Sequence, residues 1–131
     1  MTSLRMQTKK SKQIFDITEL LNHEIKKSNI KSGVFVAFIK HTTAALATAD
    51  LDPGTDLDML DAFEEIIPKL KYRHPHDPSH VPDHILSSII GASLVVPIRD
   101  GEADLGTWQR IVLIELNGPR ERDVTISFLS E

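Results

Sequence analysis

The stretch "GVFVAFIKHTTAAL", residues 33–46, joins a nearly continuous apolar run to a histidine and two threonines. The β-branched and aromatic residues over 33–40 suit a strand buried on both faces. A group placed where such a strand ends is held by a rigid scaffold while its tip faces a cleft. His41 occupies that place. Thr42 and Thr43 add two hydroxyls and two backbone N–H groups suited to an anion, or else simply form a turn.

Working outward, "LRMQTK" and "QIFDI" read as short strands, the second leading into "DITE". There Asp16 and Glu19 have the spacing of a capping box, and Leu20, Leu21 and Ile25 continue at helical period, which predicts a helix over 17–29. A second helix is expected over 53–67, with Pro53 in its first turn and Leu57, Leu60, Phe63 and Ile67 along one face; Pro68 stops it. "PDHILSSIIG" reads as a third, from Pro82 near its first turn to Gly91 past its end. "ASLVVPI", the turn "RDGE", the strand "TWQRIVLIEL", the turn "NGPR" and the strand "DVTISFL" follow. The pattern predicts an α+β class: a compact single-domain sandwich over residues 1–131, of mainly antiparallel strands with about three helices.

Composition narrows the function. At 131 residues with 40% hydrophobic side chains the chain can bury one core. No apolar run approaches the roughly 18–20 residues of a membrane span, and "MTSLRMQTKKSKQ" lacks the layout of a signal peptide, so a cytoplasmic protein is expected. With no cysteine, disulfides, zinc ribbons and cysteine nucleophiles are excluded. The net charge of -4 hides an asymmetry: residues 1–31 carry seven Lys or Arg against three acids, the remainder eight against sixteen. Solvated lysines account for that basic segment without invoking nucleic acid, and the aromatic content available for stacking is low at 5%.

Chemistry concentrates in "YRHPHDPSHVPDHI", residues 72–85, where His74, His76, His80 and His84 fall among three prolines. Imidazole is both the commonest metal ligand and a group that titrates near neutral pH. Prolines stiffen the loop and lower the entropy lost on binding. The spacing matches no standard zinc signature, and individually solvated histidines are the plain alternative. Asp58, Asp61 and Glu65 share one side of the second helix; acids at its start also suit the helix dipole, which leaves Asp58 as a general base or a partner to a ligand. Trp108, Gln109, Arg120 and Arg122 complete the inventory, arginine's fixed fork suiting phosphate or an ordinary salt bridge.

Together "HTTAAL", "DP" with Asp58, "YRH", "HI" with Gly91 downstream, "VPI..G...LGTWQ" and "NGPRER" resemble the YjbQ-like family, also called the secondary thiamine-phosphate synthase family. The resemblance covers essentially the whole chain. It implies a homotrimer with a site near the subunit interface that gathers histidines and holds a divalent metal. By position it makes His41, His74 and His84 metal ligands, Asp58 and Gln109 catalytic, and Thr42, Thr43, Trp108 and Arg120 the groups that hold an anionic substrate. Histidine ligation favours zinc, whereas a diphosphate substrate suits magnesium. Some members are credited with a weak thiamine-phosphate synthase activity, which joins a pyrimidine diphosphate to a thiazole phosphate and releases diphosphate. The expected protein is therefore a metal-binding enzyme of that kind; a metal-dependent hydrolase of a small anion and a non-catalytic trimer that binds a metal or a phosphorylated metabolite are the alternatives. The chain departs from the family at "DPSH", where a Gly–acid pair followed by Asn is common, at Asp50 for Glu, and at Asn117 for the Asp of "DGPR".

Overall fold

Two antiparallel sheets organise the computed structural model, which describes residues 1–131. Eight strands, β1 (Thr2–Gln7), β2 (Gln13–Asp16), β3 (Ser32–Ile39), β4 (Ala44–Ala49), β5 (Ser93–Arg99), β6 (Glu102–Ala103), β7 (Arg110–Glu115) and β8 (Glu121–Ser130), alternate with helices α1 (Thr18–Ser28), α2 (Thr55–Ile66) and α3 (Val81–Ile90). The larger sheet runs β1-β8-β3-β5-β6 and the smaller β2-β7-β4. This is the predicted α+β architecture. No helix is long and apolar enough to cross a membrane.

Strand periodicity assigns the layers. Phe35, Ala37 and Ile39 of β3, Val96 and Ile98 of β5, and Val124 and Ile126 of β8 point inward, where they meet Leu21 and Ile25 of α1 and Ile111 and Leu113 of β7. Each of these except Ala37 contributes about 1.5–3 kcal/mol through burial. The other face of the smaller sheet, with Ala45, Val112 and Ile114, is covered by Leu86 of α3 and by Met59, Leu60 and Phe63 of α2.

The strand buried on both faces is thus β7, whose residues Ile111–Glu115 are all buried, and not 33–40 as its apolar run suggests. β3 alternates: Val34 and Val36 are partly exposed and Phe38 is 46% exposed, because no element covers the outer face of the larger sheet. β4 was not expected, since alanine is a weak strand former. Its small side chains let the chain lie against α3, where Ser87 Oγ donates to the Ala44 carbonyl at 2.6 Å.

The helices depart in detail. At α1 the capping box does not form: Asp16 Oδ1 accepts from the Thr18 N–H at 3.0 Å, and Glu19 turns to Arg110 at 3.4 Å. α2 begins at Thr55 behind Gly54, whose φ of 92° is left-handed, so Pro53 lies before the helix. None of its residues is fully buried; its apolar stripe half-covers the smaller sheet. The "RDGE" turn is confirmed, with φ of 52° at Asp100 and 78° at Gly101, the left-handed pair that a tight hairpin needs.

Candidate active site

One end of the sandwich collects the chemistry. β3 enters β4 through Lys40–Thr43, β7 enters β8 through Leu116–Arg120, and the histidine stretch runs past both before becoming α3. Between them lies a cleft of about 650 Å³ bordered by twelve residues, none hydrophobic. His41, His74, His80 and His84 all border it, as do Lys40, Thr42, Thr43 and Arg120. The loop and strand-end motifs, far apart in sequence, do converge.

The floor is a buried ion pair. Arg122 Nε donates to Glu115 Oε2 at 2.8 Å and its Nη2 to Glu115 Oε1, with 2% and 0% of the two side chains exposed. The same Nη2 donates to the Thr43 carbonyl at 3.1 Å and hydroxyl at 2.9 Å. Glu115 also accepts from the Thr8 hydroxyl at 2.8 Å and the Asn117 N–H at 3.0 Å. Burial alone would raise the Glu115 pKa; hydrogen bonds from Arg122, the Asn117 N–H and Thr8 outweigh it and hold the carboxyl below its usual range. Thr8 in turn accepts from the Arg120 N–H at 2.9 Å, so the network fixes the arginine turn. Gly118 is required there: a Cβ would fall 2.3 Å from the Lys10 carbonyl oxygen and 2.9 Å from the Thr8 hydroxyl.

Thr43 is therefore part of the floor, its hydroxyl taken by Arg122. Arg120 is exposed, with Nε donating to the Asn117 carbonyl at 2.8 Å, which leaves the outer guanidinium N–H groups for the cleft.

Backbone hydrogen bonds decide what each histidine offers. A main-chain N–H only donates, so the ring nitrogen it meets must carry the lone pair. His41 Nε2 accepts from the Asp123 N–H at 2.9 Å, and the neutral ring then has its proton on Nδ1. Burial, and next the Arg122 charge, lower the His41 pKa, which keeps it neutral at pH 7. His74 Nδ1 accepts from the His76 and Asp77 N–H groups at 3.2 and 3.3 Å, which puts its proton on Nε2. His84 is the reverse case: Nδ1 meets the Thr42 carbonyl at 3.0 Å, so Nδ1 holds a proton and the neutral ring has its lone pair on Nε2. The His74 and His84 rings stack, with centroids 5.4 Å apart and planes 13° from parallel. His76 packs its edge on His74 and is exposed.

His80 Nδ1 is hydrogen-bonded to Asp83 Oδ2 at 3.2 Å, and its Nε2 lies 3.1 Å from Asp77 Oδ2. Asp83, 6% exposed, also takes an ion pair from Lys12, whose Nζ reaches the Leu116 carbonyl at 2.6 Å. Hydrogen bonds from Ser79 lower the Asp77 pKa.

A three-histidine metal centre does not fit this arrangement. Of His41, His74 and His84 only His84 presents a lone pair, and no group of three His, Asp or Glu side chains is gathered as a metal ion requires. Ligation through all three would break the hydrogen bonds at His41 Nε2 and His74 Nδ1.

The other expected site residues lie elsewhere. Gln109 and Trp108 precede β7, whereas Glu115 ends it, which separates them from the cleft floor by about 17 Å or more of strand. Gln109 folds locally, donating to Thr48 Oγ1 at 3.1 Å and accepting from the Gly106 N–H at 3.0 Å; Trp108 is 70% exposed. Asp58 is exposed on α2 and does not border the cleft. Conversely, sequence reasoning passed over Glu115, Thr8 and Asp83. Glu115 had a signal, since a lone acid inside "RIVLIEL" must find a buried partner, and Arg122 shares the inward period of Val124 and Ile126.

Comparison with known proteins agrees with this fold. A family model described as "UPF0047 protein YjbQ-like" matches residues 2–131. The chain is 33% identical to the UPF0047 protein YugU of Bacillus subtilis over 128 residues, 97% of each chain, and 32% identical to a UPF0047 protein of Methanocaldococcus jannaschii over 97% of this chain and 92% of that one. Among solved structures, a hypothetical protein from Aeropyrum pernix superposes with a TM-score of 0.91 at 32% identity, covering 99% and 98% of the two chains. A YbjQ-like protein of unknown function from Sulfolobus solfataricus gives 0.91 and 32%, covering 99% and 96%. The chain belongs to the YjbQ-like UPF0047 family.

Proposed function

We propose that the cleft binds the phosphate or diphosphate of a small organic molecule, with His84 as its acid–base group. The observation that carries this reading is the pair of ring tautomers set by the backbone: His41 Nδ1 and His74 Nε2 are N–H donors. With Arg120, Lys40 and Arg122, set against Asp77 and Glu121, they border a cleft with no hydrophobic side chain. Donors fixed before the ligand arrives stabilise negative charge without reorganisation. His84 Nε2 is the one imidazole lone pair among the three, suited to take a proton from water or another nucleophile and return it to a leaving group.

Hydrolysis of a phosphate ester uses both parts of such a site, the donors for charge and the base for water. The diphosphate-releasing condensation implied by the family resemblance uses the donors for the departing anion. The homotrimer implied by the same resemblance needs an apolar surface. The uncovered face of the larger sheet offers Val34, Val36, Phe38, Val95 and Leu129, the last two 67% and 64% exposed; we place the contact between copies there, and sedimentation of a Val95→Lys variant tests it by dissociation.

Calorimetric titration with inorganic phosphate and with diphosphate, in chelator-treated buffer, tests the cleft. Saturable binding that weakens about tenfold in His74→Ala and in Arg120→Ala is expected. Binding that appears only after zinc or another transition metal is added would overturn it.

A further inference from the structure

No hydrophobic side chain borders the histidine cleft, yet an organic phosphate has a carbon part. Beside the cleft, between α2 and α3, runs a second hollow of about 470 Å³. Leu57, Leu60, Phe63, Leu86 and Leu116 line it. We propose that this groove is the second half of the ligand site and takes the uncharged apolar group of the molecule whose phosphate sits in the cleft. The inference rests on the phosphate reading and adds the ligand class: one anionic end, one apolar end.

Three observations support the division. The two hollows adjoin, with His80 and Asn117 as common walls. His80 lies between Asp77 and Asp83, its Nδ1 hydrogen-bonded to Asp83, so its ring stands as a fixed partition between the hollows against which a flat group packs. Asn117 uses its backbone N–H on Glu115 and its carbonyl on Arg120, which leaves the side-chain amide at the junction to meet a polar atom of the ligand where it bends from one hollow into the other.

Charge then selects the end. Asp61, Glu64 and Asp83 border the groove against Lys12 and Lys69, and Lys12 is held by Asp83 and the Leu116 carbonyl. A second anionic group is disfavoured beside those carboxylates, and an apolar group is not. Size is ample, since an apolar cavity of about 150 Å³ accepts benzene.

The test compares inorganic phosphate with benzyl, 2-phenylethyl and 3-phenylpropyl phosphate by calorimetry on the full chain. The tightest ester should bind about tenfold more strongly than inorganic phosphate. That advantage should vanish in Leu57→Glu, a substitution at a residue already 58% exposed, and in Phe63→Ala, with inorganic phosphate affinity within twofold of wild type in both. Equal affinities across the series, or an advantage that survives both substitutions, would overturn the groove assignment and leave the cleft reading intact. Failure of inorganic phosphate to bind would instead overturn the cleft reading, and this inference with it.

Discussion

Arg122 and His74 border one cleft, yet they are held in opposite ways. Arg122 is buried against Glu115, with Thr43 and Thr8 completing the network; its charge is neutralised in place. His74 stands on a proline-stiffened surface loop, oriented by two backbone N–H groups, with its other nitrogen unspent. The floor spends its polar groups on one another and so fixes the positions of Thr43 and Arg120. The wall spends half of His41, His74 and His84 on orientation and keeps the other half for a ligand. Stability and chemistry are thus carried by different residues a few ångströms apart.

The largest effect expected from breaking this division comes from the floor. Arg122→Met leaves Glu115 buried without its cation and should cost about 3–5 kcal/mol in denaturant unfolding. The double variant Arg122→Met/Glu115→Leu removes both charges and should cost less than the single change. Equal or greater loss in the double variant would show that Thr8 and Thr43, not the charge pair, dominate.

Acid should act next. The folded-state pKa of Glu115 lies below its ordinary 4.5 and that of His41 below 6.5. In both cases the unfolded chain binds protons at a pH where the folded chain does not, so stability is full above the unfolded values. It should start to fall as pH drops through about 6.5 on account of His41, and fall further below about 4.5 on account of Glu115. His41→Gln should remove the first decline and leave the second, as read from unfolding free energies across that range.

Wall substitutions should separate affinity from stability. His84→Ala should change unfolding free energy by less than about 1 kcal/mol, as partly exposed positions do, and should abolish any phosphoester turnover while phosphate affinity falls less than in His74→Ala. Parallel loss of fold and binding would erase the distinction between wall and floor. The smallest effect belongs to the opposite end of β7. Trp108→Ala and Asp58→Asn should leave phosphate affinity within twofold; a tenfold loss in either would mean that a neighbouring copy's far end reaches the cleft.

How much of this was legible in the sequence follows from the range of each signal. The α+β class and the two C-terminal turns were legible because strand alternation and "DG" or "GP" pairs act locally. The burial of β7 was not, since whether an apolar run is covered on one face or two depends on which helices return to it. β3 and β7 read alike in "VFVAFI" and "RIVLIEL", and only the placement of α2 and α3 separates them. His41, His74, His84 and Arg120 were found as a group and do share the cleft. Their chemistry was not legible, because a ring nitrogen's role is set by partners such as the Asp123 N–H, 82 residues from His41 in the chain. Gln109, Trp108 and Asp58 were assigned their site roles by the family resemblance, and within one chain strand length separates the first two from the cleft floor.

The central claim concerns protons on histidine, and nitrogen NMR of ring-labelled histidine reads them directly. Near pH 7.5 in chelator-treated buffer, the account predicts an Nδ1–H signal for His41, an Nε2–H signal for His74 and an Nδ1–H signal for His84, with the His41 and His74 N–H resonances shifting on addition of phosphate. An Nδ1–H tautomer at His74, or His41 and His74 resonances that respond to zinc and not to phosphate, would contradict it.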